Sequence, residues 1–159
     1  EVRQGILAQA LVPREGSLDY LIYDCAPGWD VLSVNILMAA REVLCPVALQ
    51  GASLEGLKTF FGYLMSAQRQ NPALELKYVL PTMFDRRTRQ SFDIYRKLHH
   101  LFRKQICAPI HYNVRLAEAP AAGRTIFEYR RQAVGAEDYT HLIQRVADDD
   151  DQKTRPSGT

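Results

Sequence analysis

The sequence predicts an α/β fold in which a parallel, doubly wound sheet is flanked by helices. Short apolar runs typical of strands alternate with segments whose apolar residues recur at helical spacing. One of the runs, Tyr20–Asp24, ends in an aspartate, and open α/β sheets bind ligands at the carboxyl ends of their strands. With 159 residues, of which 47% are hydrophobic, the chain can bury one core, so a single domain is expected.

The first half reads as a βαβ unit followed by a long helix. Tyr20–Asp24 is the first strand, Val31–Ala40 the helix after it, and Glu42–Val47 the second strand. Ser53 can cap the next helix, which should end before Pro72. This helix has one apolar face at the spacing i, i+3, i+4 and i+7, made of Leu57, Phe60, Phe61 and Leu64.

The second half continues the alternation. Leu76–Leu80 is a third strand, Thr88–Lys104 a helix, Ile106–Ile110 a fourth strand and Ala136–Ala147 the last helix. The residues expected to face inward are Phe92, Tyr95, Leu98 and Phe102 in the first of these helices, and Tyr139, Leu142, Ile143 and Val146 in the second.

The end of the chain changes in composition. Residues 148–159 contain four consecutive aspartates followed by polar residues, a composition that predicts disorder. The folded domain is therefore placed at residues 1–147.

Composition narrows the class of protein. No stretch approaches the roughly eighteen apolar residues of a membrane span, and residues 1–9 lack the regions of a signal peptide. Three separated cysteines, Cys25, Cys45 and Cys107, form no C-x-x-C pair. A cytoplasmic protein with reduced thiols is expected. The first residue is Glu1 instead of methionine, which predicts processing or truncation.

Basic charge is concentrated in the second half of the chain. Residues 85–131 hold eleven Lys or Arg against four Asp or Glu, although the whole chain carries only +2. Such a segment can attract phosphate backbones without reading sequence, and an ordinary solvated helix face is the alternative. The candidates for phosphate contacts are Arg96, Lys97, Arg103, Lys104, Arg130 and Arg131.

The predicted strand that ends at Asp24 is compatible with half of a nucleotide site. An apolar strand, an aspartate and the Pro27-Gly28 turn are the arrangement with which many nucleotide hydrolases hold magnesium. The sequence contains no G-x-x-x-x-G-K-[ST] loop, the loop that wraps phosphate with backbone N–H groups. Asp24 could instead cap the helix that starts near Asp30, or accept N–H bonds in the turn.

Four segments resemble, in order, motifs of the ParA/Soj family of chromosome and plasmid partitioning ATPases. Leu18–Gly28 is similar to the Walker B and switch II segment, and Thr82–Thr88 to the T-M-[YF]-D-x-R-T turn. Asn113–Pro120 is similar to N-V-R-L-x-E-A-P, and Gly135–Tyr139 to the helix start G-A-E-x-Y. The resemblance covers residues 18–146.

The resemblance implies an incomplete P-loop NTPase-like fold. The Walker A loop and the D-P-Q-G-N segment of the family are absent from the sequence, so a fragment of a longer protein is expected, inactive as an ATPase by itself. For the complete protein the resemblance implies ATP and Mg²⁺ as cofactors, an ATP-dependent homodimer and nonspecific DNA binding. It also implies a ParB-like stimulating partner and a nucleoid-associated location in the cytoplasm.

The resemblance also assigns roles to individual residues. Asp24 becomes the catalytic-site residue that holds Mg²⁺ through water, and Pro27 and Gly28 sense the γ-phosphate. Thr82 and Asp85 in the second motif are expected near the adenine base or at the dimer interface, and Asn113 in the third is expected at the nucleotide. Structural alternatives exist for both later segments: the turn at 85–87 can be a helix cap with exposed arginines, and 113–120 a connector.

The chain departs from the family pattern at two places. Many members carry Pro-Arg before Asn113, where this chain has His111-Tyr112, and many carry a basic residue where this chain has Val134. The leading hypothesis is the C-terminal part of a ParA-like ATPase that segregates or positions DNA or other cargo. The alternative is a truncated binding or regulatory module without ATPase activity, while the acidic tail disfavours a relative that acts at membranes.

Overall fold

The computed structural model describes residues 6–11, 18–25, 28–51 and 53–154. The helices and strands follow in the order α1 (Ile6–Leu11), α2 (Val31–Ala39), β1 (Glu42–Ala48), α3 (Ser53–Gln70), β2 (Glu75–Thr82), α4 (Arg89–Leu101), α5 (Val114–Ala121), α6 (Ile126–Arg130) and α7 (Val134–Thr154). None of the helices among these residues is long and apolar enough to cross a membrane.

The chain divides into two compact units. The first comprises Glu1–Leu44 and Leu54–Lys77, and the second comprises Cys45–Ser53 and Tyr78–Thr159. Strands β1 and β2 pair with each other, and each contributes residues to both units. The assignment of residues 1–147 to one ATPase domain stays a prediction.

In the first unit, both ends of helix α2 are stabilised by identifiable side chains. Asp30 caps α2, because its carboxylate accepts a hydrogen bond from the Ser33 N–H at 2.8 Å. After α3 the side-chain amide of Asn71 donates to the carbonyls of Leu37 and Ala40, both at 2.9 Å. These bonds satisfy carbonyls at the end of α2 that have no partner within the helix. The core of this unit contains the buried side chains of Leu64, Ala67 and Leu74.

The predicted strand Tyr20–Asp24 is absent from the structure. Residues 18–25 are described, but they form neither strand nor helix. A strand requires ladder hydrogen bonds to a neighbour, and apolar composition alone does not supply them. Ile22 is 88% exposed, so this apolar run is not covered within the described part of the chain.

In the second unit, the sheet is parallel around β2. Val79 pairs with Ile106, and Phe84 with His111, in two parallel bridges. The backbone bonds between them include Cys107 N–H to the Val79 carbonyl and Phe84 N–H to the Ile110 carbonyl, at 2.8 and 3.0 Å. The predicted strand Ile106–Ile110 is reduced to these isolated bridges, since Pro109 has no N–H to donate. The parallel α/β class is confirmed.

Helix α4 is shorter than predicted. Thr88 caps its start by accepting from the Ser91 N–H, and the helix ends at Leu101 with Phe102 as its C-cap. Positions 103 and 104 therefore lie in the turn that leads to Ile106, beyond the helix. Leu98 is buried as expected, but Phe92 is 42% exposed, so its predicted inward position is wrong.

Helix α7 extends beyond the predicted boundary at Ala147. Tyr139, Leu142 and Val146 pack against the buried core of this unit, whereas Ile143 is exposed, contrary to the prediction. Residues 148–154, predicted to be disordered, continue the helix.

Long-range contacts anchor this additional length of α7. The Tyr78 hydroxyl donates to the Asp149 carboxylate at 3.0 Å, and Arg145 donates to the carbonyls of Lys104 and Ile106. The composition of the aspartate run could not predict these contacts, because their partners lie far away in the sequence.

Candidate functional site

A cleft of about 420 Å³ lies in the second unit, where the chain leaves β2 and where it leaves the neighbouring parallel segment. In parallel α/β sheets this is the edge at which ligands bind. The lining residues are Phe84, Asp85, Arg86, Arg87, His111, Tyr112, Asn113, Val114 and Val134. The cleft therefore combines aromatic and apolar walls with a small set of polar groups.

The turn after β2 begins with an unusual backbone conformation. Met83 has φ of +56°, in the left-handed region that non-glycine residues seldom adopt. Two residues later, the Asp85 carboxylate accepts from the backbone N–H, the Nε and the Nη2 of Arg87, at 2.9, 2.9 and 2.8 Å. These bonds from Arg87 lower the pKa of Asp85 to about 2.

A buried serine connects this turn to Leu49, the residue after β1. Ser91 is 1% exposed, and its hydroxyl donates to the Leu49 carbonyl at 3.2 Å. The same hydroxyl oxygen accepts from the Asp85 N–H at 3.4 Å and lies 2.9 Å from Thr88 Oγ1. The rim of the cleft at Asp85 is therefore set by a polar network with a buried centre.

His111 forms the other wall of the cleft together with a partner from α7. Its backbone N–H donates to the Asp138 carboxylate at 2.8 Å, and its ring Nδ1 lies 3.0 Å from both oxygens of the same carboxylate. The side chains of His111 and Asp138 are 17% and 10% exposed. On the opposite side of the ring, Arg86 Nε donates to His111 Nε2 at 3.0 Å.

The segment 113–120 folds into α5, with Asn113 as its cap. The Asn113 side-chain oxygen accepts from the Arg115 N–H at 2.9 Å. Glu118 accepts from Arg115 Nη1 at 2.6 Å and from the Tyr129 hydroxyl at 3.2 Å. Arg115 in particular lowers the pKa of Glu118. The arginine and the glutamate of this motif thus stabilise the helix that Asn113 begins.

The last two motifs contact each other. Gly135, at the start of α7, is buried against Leu116 in α5, and a Cβ atom at position 135 would lie 2.7 Å from Leu116 Cγ. A glycine is required there because of this close approach.

The structure places the predicted nucleotide residues in different parts of the molecule. Asp85 and Asn113 both line the cleft, whereas Thr82, the last residue of β2, does not. Asp24 and Gly28 belong to the first unit. Pro27 lies outside the described residues.

Asp24 is exposed and accepts no hydrogen bond within the described part of the chain. The capping role that sequence left open for it belongs to Asp30. Gly28 has φ of +154°, a conformation that favours glycine.

Among the described residues no three His, Cys, Asp or Glu side chains form a metal-binding group. The exposed carboxylate of Asp24 is still compatible with Mg²⁺, because this ion keeps most of its waters and needs only one or two protein ligands.

The basic candidates are exposed and occupy three surface segments of the second unit. Arg96 and Lys97 lie on α4, Arg103 and Lys104 in the turn after it, and Arg130 and Arg131 at the end of α6. Arg96 forms an ion pair with Asp93, which also lies 3.8 Å from Arg89. Arg103 and Lys104 lie beyond the end of α4, so they do not extend the helix surface that carries Arg96.

Sequence reasoning missed the interaction of Arg86, His111 and Asp138. Arg86 and Asp138 are 52 positions apart, and no local pattern links the three residues. The only signal was the presence of His111-Tyr112 where many family members carry Pro-Arg.

Comparison with known proteins gives a consistent set of relatives. A sequence profile described as "AAA domain" matches residues 1–76. The chromosome partitioning protein ParA of Myxococcus xanthus is 34% identical over 154 residues, which are 96% of this chain and 54% of that protein. The sporulation initiation inhibitor protein Soj of Bacillus subtilis is 35% identical over 147 residues, 91% of this chain and 58% of that protein. The chain thus spans little more than half the length of these relatives.

Solved structures agree on the fold. The apo structure of McdA from Cyanthece superposes with a TM-score of 0.75 at 18% identity, over 88% of this chain and 57% of that one. Cobyrinic acid a,c-diamide synthase from Mycobacterium smegmatis, solved with ADP and magnesium, gives a TM-score of 0.66 at 29% identity, over 84% and 48% of the two chains.

Proposed function

Because the chain belongs to the ParA/Soj family of chromosome and plasmid partitioning ATPases, we propose that it supplies the Walker B aspartate, the switch and the base-side cleft of an ATP-dependent partitioning protein. The observation that carries this proposal is the exposed Asp24 carboxylate. It accepts no hydrogen bond within the described part of the chain. Helix α2 is capped by Asp30, so Asp24 is not needed for that role.

In this proposal the residues for magnesium and phosphate belong to the first unit, and the residues for the base belong to the second. Asp24 accepts hydrogen bonds from the water shell of a cation, as a carboxylate does when it holds magnesium from the second shell. Bound magnesium neutralises phosphate charge in such sites. Pro27 and Gly28 lie three and four positions after Asp24, so a change at the phosphate would be transmitted through this short segment. Asp85 and Asn113 line a cleft of about 420 Å³ with aromatic walls, which suits a flat heterocycle.

The further steps of the proposal follow the family. ATP binding brings two copies together, the dimer binds DNA through its basic surface without reading sequence, and a ParB-like partner stimulates turnover. Exposed basic residues on α4, α6 and the turn at 103–105 support the DNA step, because phosphate contacts require accessible cations.

The role of Asp24 is tested in the intact protein with the variant Asp24→Ala. Turnover of ATP should fall by at least about tenfold, since the residue that orders the metal shell is removed. Asp19→Ala is the matched control, because it removes an exposed carboxylate five positions earlier and should leave turnover unchanged. Equal turnover in wild type and Asp24→Ala would defeat the assignment.

A second candidate is a binding or regulatory module without hydrolysis. The observation that favours it is the exposed basic residues on α4, on α6 and in the turn at 103–105, which can contact phosphates without any nucleotide. Isothermal titration of the intact protein with Mg²⁺-ATP separates the two candidates. Nucleotide binding with turnover supports the ATPase, and DNA or partner binding without any nucleotide response supports the module.

A further inference from the structure

We infer that Arg86 is the ligand-facing donor of the cleft, that neutral His111 holds it in place through a relay from Asp138, and that its ligand presents hydrogen-bond acceptors. The identification of that ligand as a nucleotide rests on the proposed function. The relay itself rests only on the contacts of Arg86, His111 and Asp138.

The contacts determine the tautomer of His111. An aspartate carboxylate only accepts hydrogen bonds, so the proton must be on Nδ1, which lies 3.0 Å from the Asp138 oxygens. An arginine Nε–H only donates, so Nε2 of the same ring must carry a lone pair to accept it at 3.0 Å. Both conditions are met by one state, the neutral imidazole protonated at Nδ1.

The remaining polar groups of the cleft determine the chemistry of the ligand. Both oxygens of Asp85 are engaged by Arg87, and the side-chain oxygen of Asn113 is engaged by the Arg115 N–H. Within the described part of the chain, Arg86 Nη1 and Nη2, Arg87 Nη1 and the Asn113 side-chain nitrogen have no partner. All four are donors, and Arg86 carries two of them. The Tyr112 hydroxyl can donate or accept, so the cleft is matched to a ligand rich in acceptors.

The relay makes this site sensitive to pH. Protonation of His111 at Nε2 would place an N–H opposite the Arg86 N–H and add a second positive charge beside the guanidinium, so Arg86 would leave its position. The charged and titratable groups around the ring are Asp138 from α7 and Arg86 from the turn, and Tyr112 and the Asp85–Arg87 pair line the same cleft.

The first experiment reads the relay without any ligand. Nitrogen-15 NMR of the intact, isotope-labelled protein at neutral pH should show His111 as the Nδ1–H tautomer, with a protected Arg86 Nε–H signal that disappears on acidification. His99, His100 and His141 are exposed and provide internal references. An Nε2–H tautomer at neutral pH, or an Arg86 signal indifferent to acid, overturns the inference.

The second experiment measures binding of ATP, GTP and inorganic tripolyphosphate. Arg86→Gln should weaken nucleotide binding by about tenfold at pH 8, as expected for removal of a charged hydrogen-bond donor. Arg89→Gln removes the same charge from an exposed position outside the cleft and should bind as wild type does. An effect restricted to ATP or GTP identifies the base edge as the acceptor group, and an equal effect on tripolyphosphate identifies phosphate. Equal affinity of wild type and Arg86→Gln overturns the inference.

The pH profile links the two experiments. Wild-type affinity should fall by about tenfold between about pH 8 and about pH 5, while Arg86→Gln, which no longer has the group that His111 controls, shows no such additional fall. Parallel profiles overturn the inference. If the wild-type protein binds no nucleotide at any pH, the proposed function fails, and the NMR experiment still decides whether the relay exists.

Discussion

At Gly135 the absence of a side chain allows two helices to approach closely. The Cβ of Gly135→Ala would lie 2.7 to 2.9 Å from three carbon atoms of Leu116. Overpacking of this kind costs about 1–3 kcal/mol, more than the gain of up to about 1 kcal/mol that alanine brings to a helix. We therefore expect a net decrease of about 1 kcal/mol in the free energy of unfolding, measured by urea denaturation.

A second variant makes this prediction specific to the contact. In a Leu116→Ala background the obstruction is removed, so Gly135→Ala should become neutral or stabilising by up to about 1 kcal/mol. Destabilisation of the same size in both backgrounds would show that the Leu116 contact is not the cause.

Asp85 predicts a dependence of stability on pH. Its pKa of about 2 in the folded protein lies below the value of about 3.9 usual for an unfolded aspartate. The stabilisation from the Arg87 bonds is therefore complete above about pH 4 and is lost as the pH falls through about 2. Urea denaturation of wild type and Arg87→Gln should show a stability difference that shrinks across this window. Arg89→Gln, whose partner Asp93 is 3.8 Å away, serves as control, and a difference independent of pH contradicts the prediction.

At the scale of elements, sequence periodicity predicted those whose stability is local. The apolar period of α3 and the apolar run of β2 lie in consecutive residues, and the bounds of α2 and β2 differ from the predictions by one or two positions. The predictions were wrong where contacts with residues distant in the sequence determine the secondary structure. Tyr20–Asp24 lacks a ladder among the described residues, and residues 148–154 are helical, with Asp149 bonded to Tyr78.

The candidate site divides in the same way. The motif resemblance indicated Asp85 and Asn113, which do line one cleft, because each sits within a recognisable local pattern. It could not indicate that His111 meets Asp138, 27 positions away on another element. Periodicity also could not show that α4 ends at Leu101. The chain turns there and then pairs Ile106 with Val79, a contact between residues far apart in the sequence.

The anchoring of α7 gives a prediction at this scale. Tyr78→Phe removes the hydroxyl that donates to Asp149 while it keeps the ring, which is 3% exposed. We expect the free energy of unfolding to fall by about 1 kcal/mol in urea denaturation, the usual value for a hydrogen bond in a folded protein. Tyr139→Phe is the matched control: its hydroxyl has no hydrogen bond within the described residues, so its removal should change stability by only a few tenths of a kcal/mol.

At the scale of the whole molecule, charge is distributed unevenly along a chain whose net charge is only +2. If the basic residues of the second unit contact DNA phosphates, affinity must fall steeply with salt. In the intact protein, Arg103→Gln combined with Lys104→Gln should reduce the slope of log K against log salt by about 2, at roughly 0.9 for each phosphate that is no longer neutralised.

The control removes the same charge from elsewhere. Arg41→Gln combined with Lys58→Gln neutralises two exposed residues of the first unit and should leave the slope unchanged. Fluorescence anisotropy with an arbitrary duplex at several salt concentrations measures both. Binding that ignores salt, or an equal decrease of slope in the two double variants, contradicts the assignment of this surface to DNA.

Arg145 connects the last turns of α7 to the chain between α4 and Ile106. Its guanidinium donates to the carbonyls of Lys104 and Ile106 and lies over the Tyr78 ring, with Cζ 5.5 Å from the ring centre. Release of this one side chain would expose two carbonyls and an aromatic face at once. In native-state hydrogen exchange, amides of the last turns of α7 and those around Ile106 should therefore share one opening free energy and behave as a single cooperative unit.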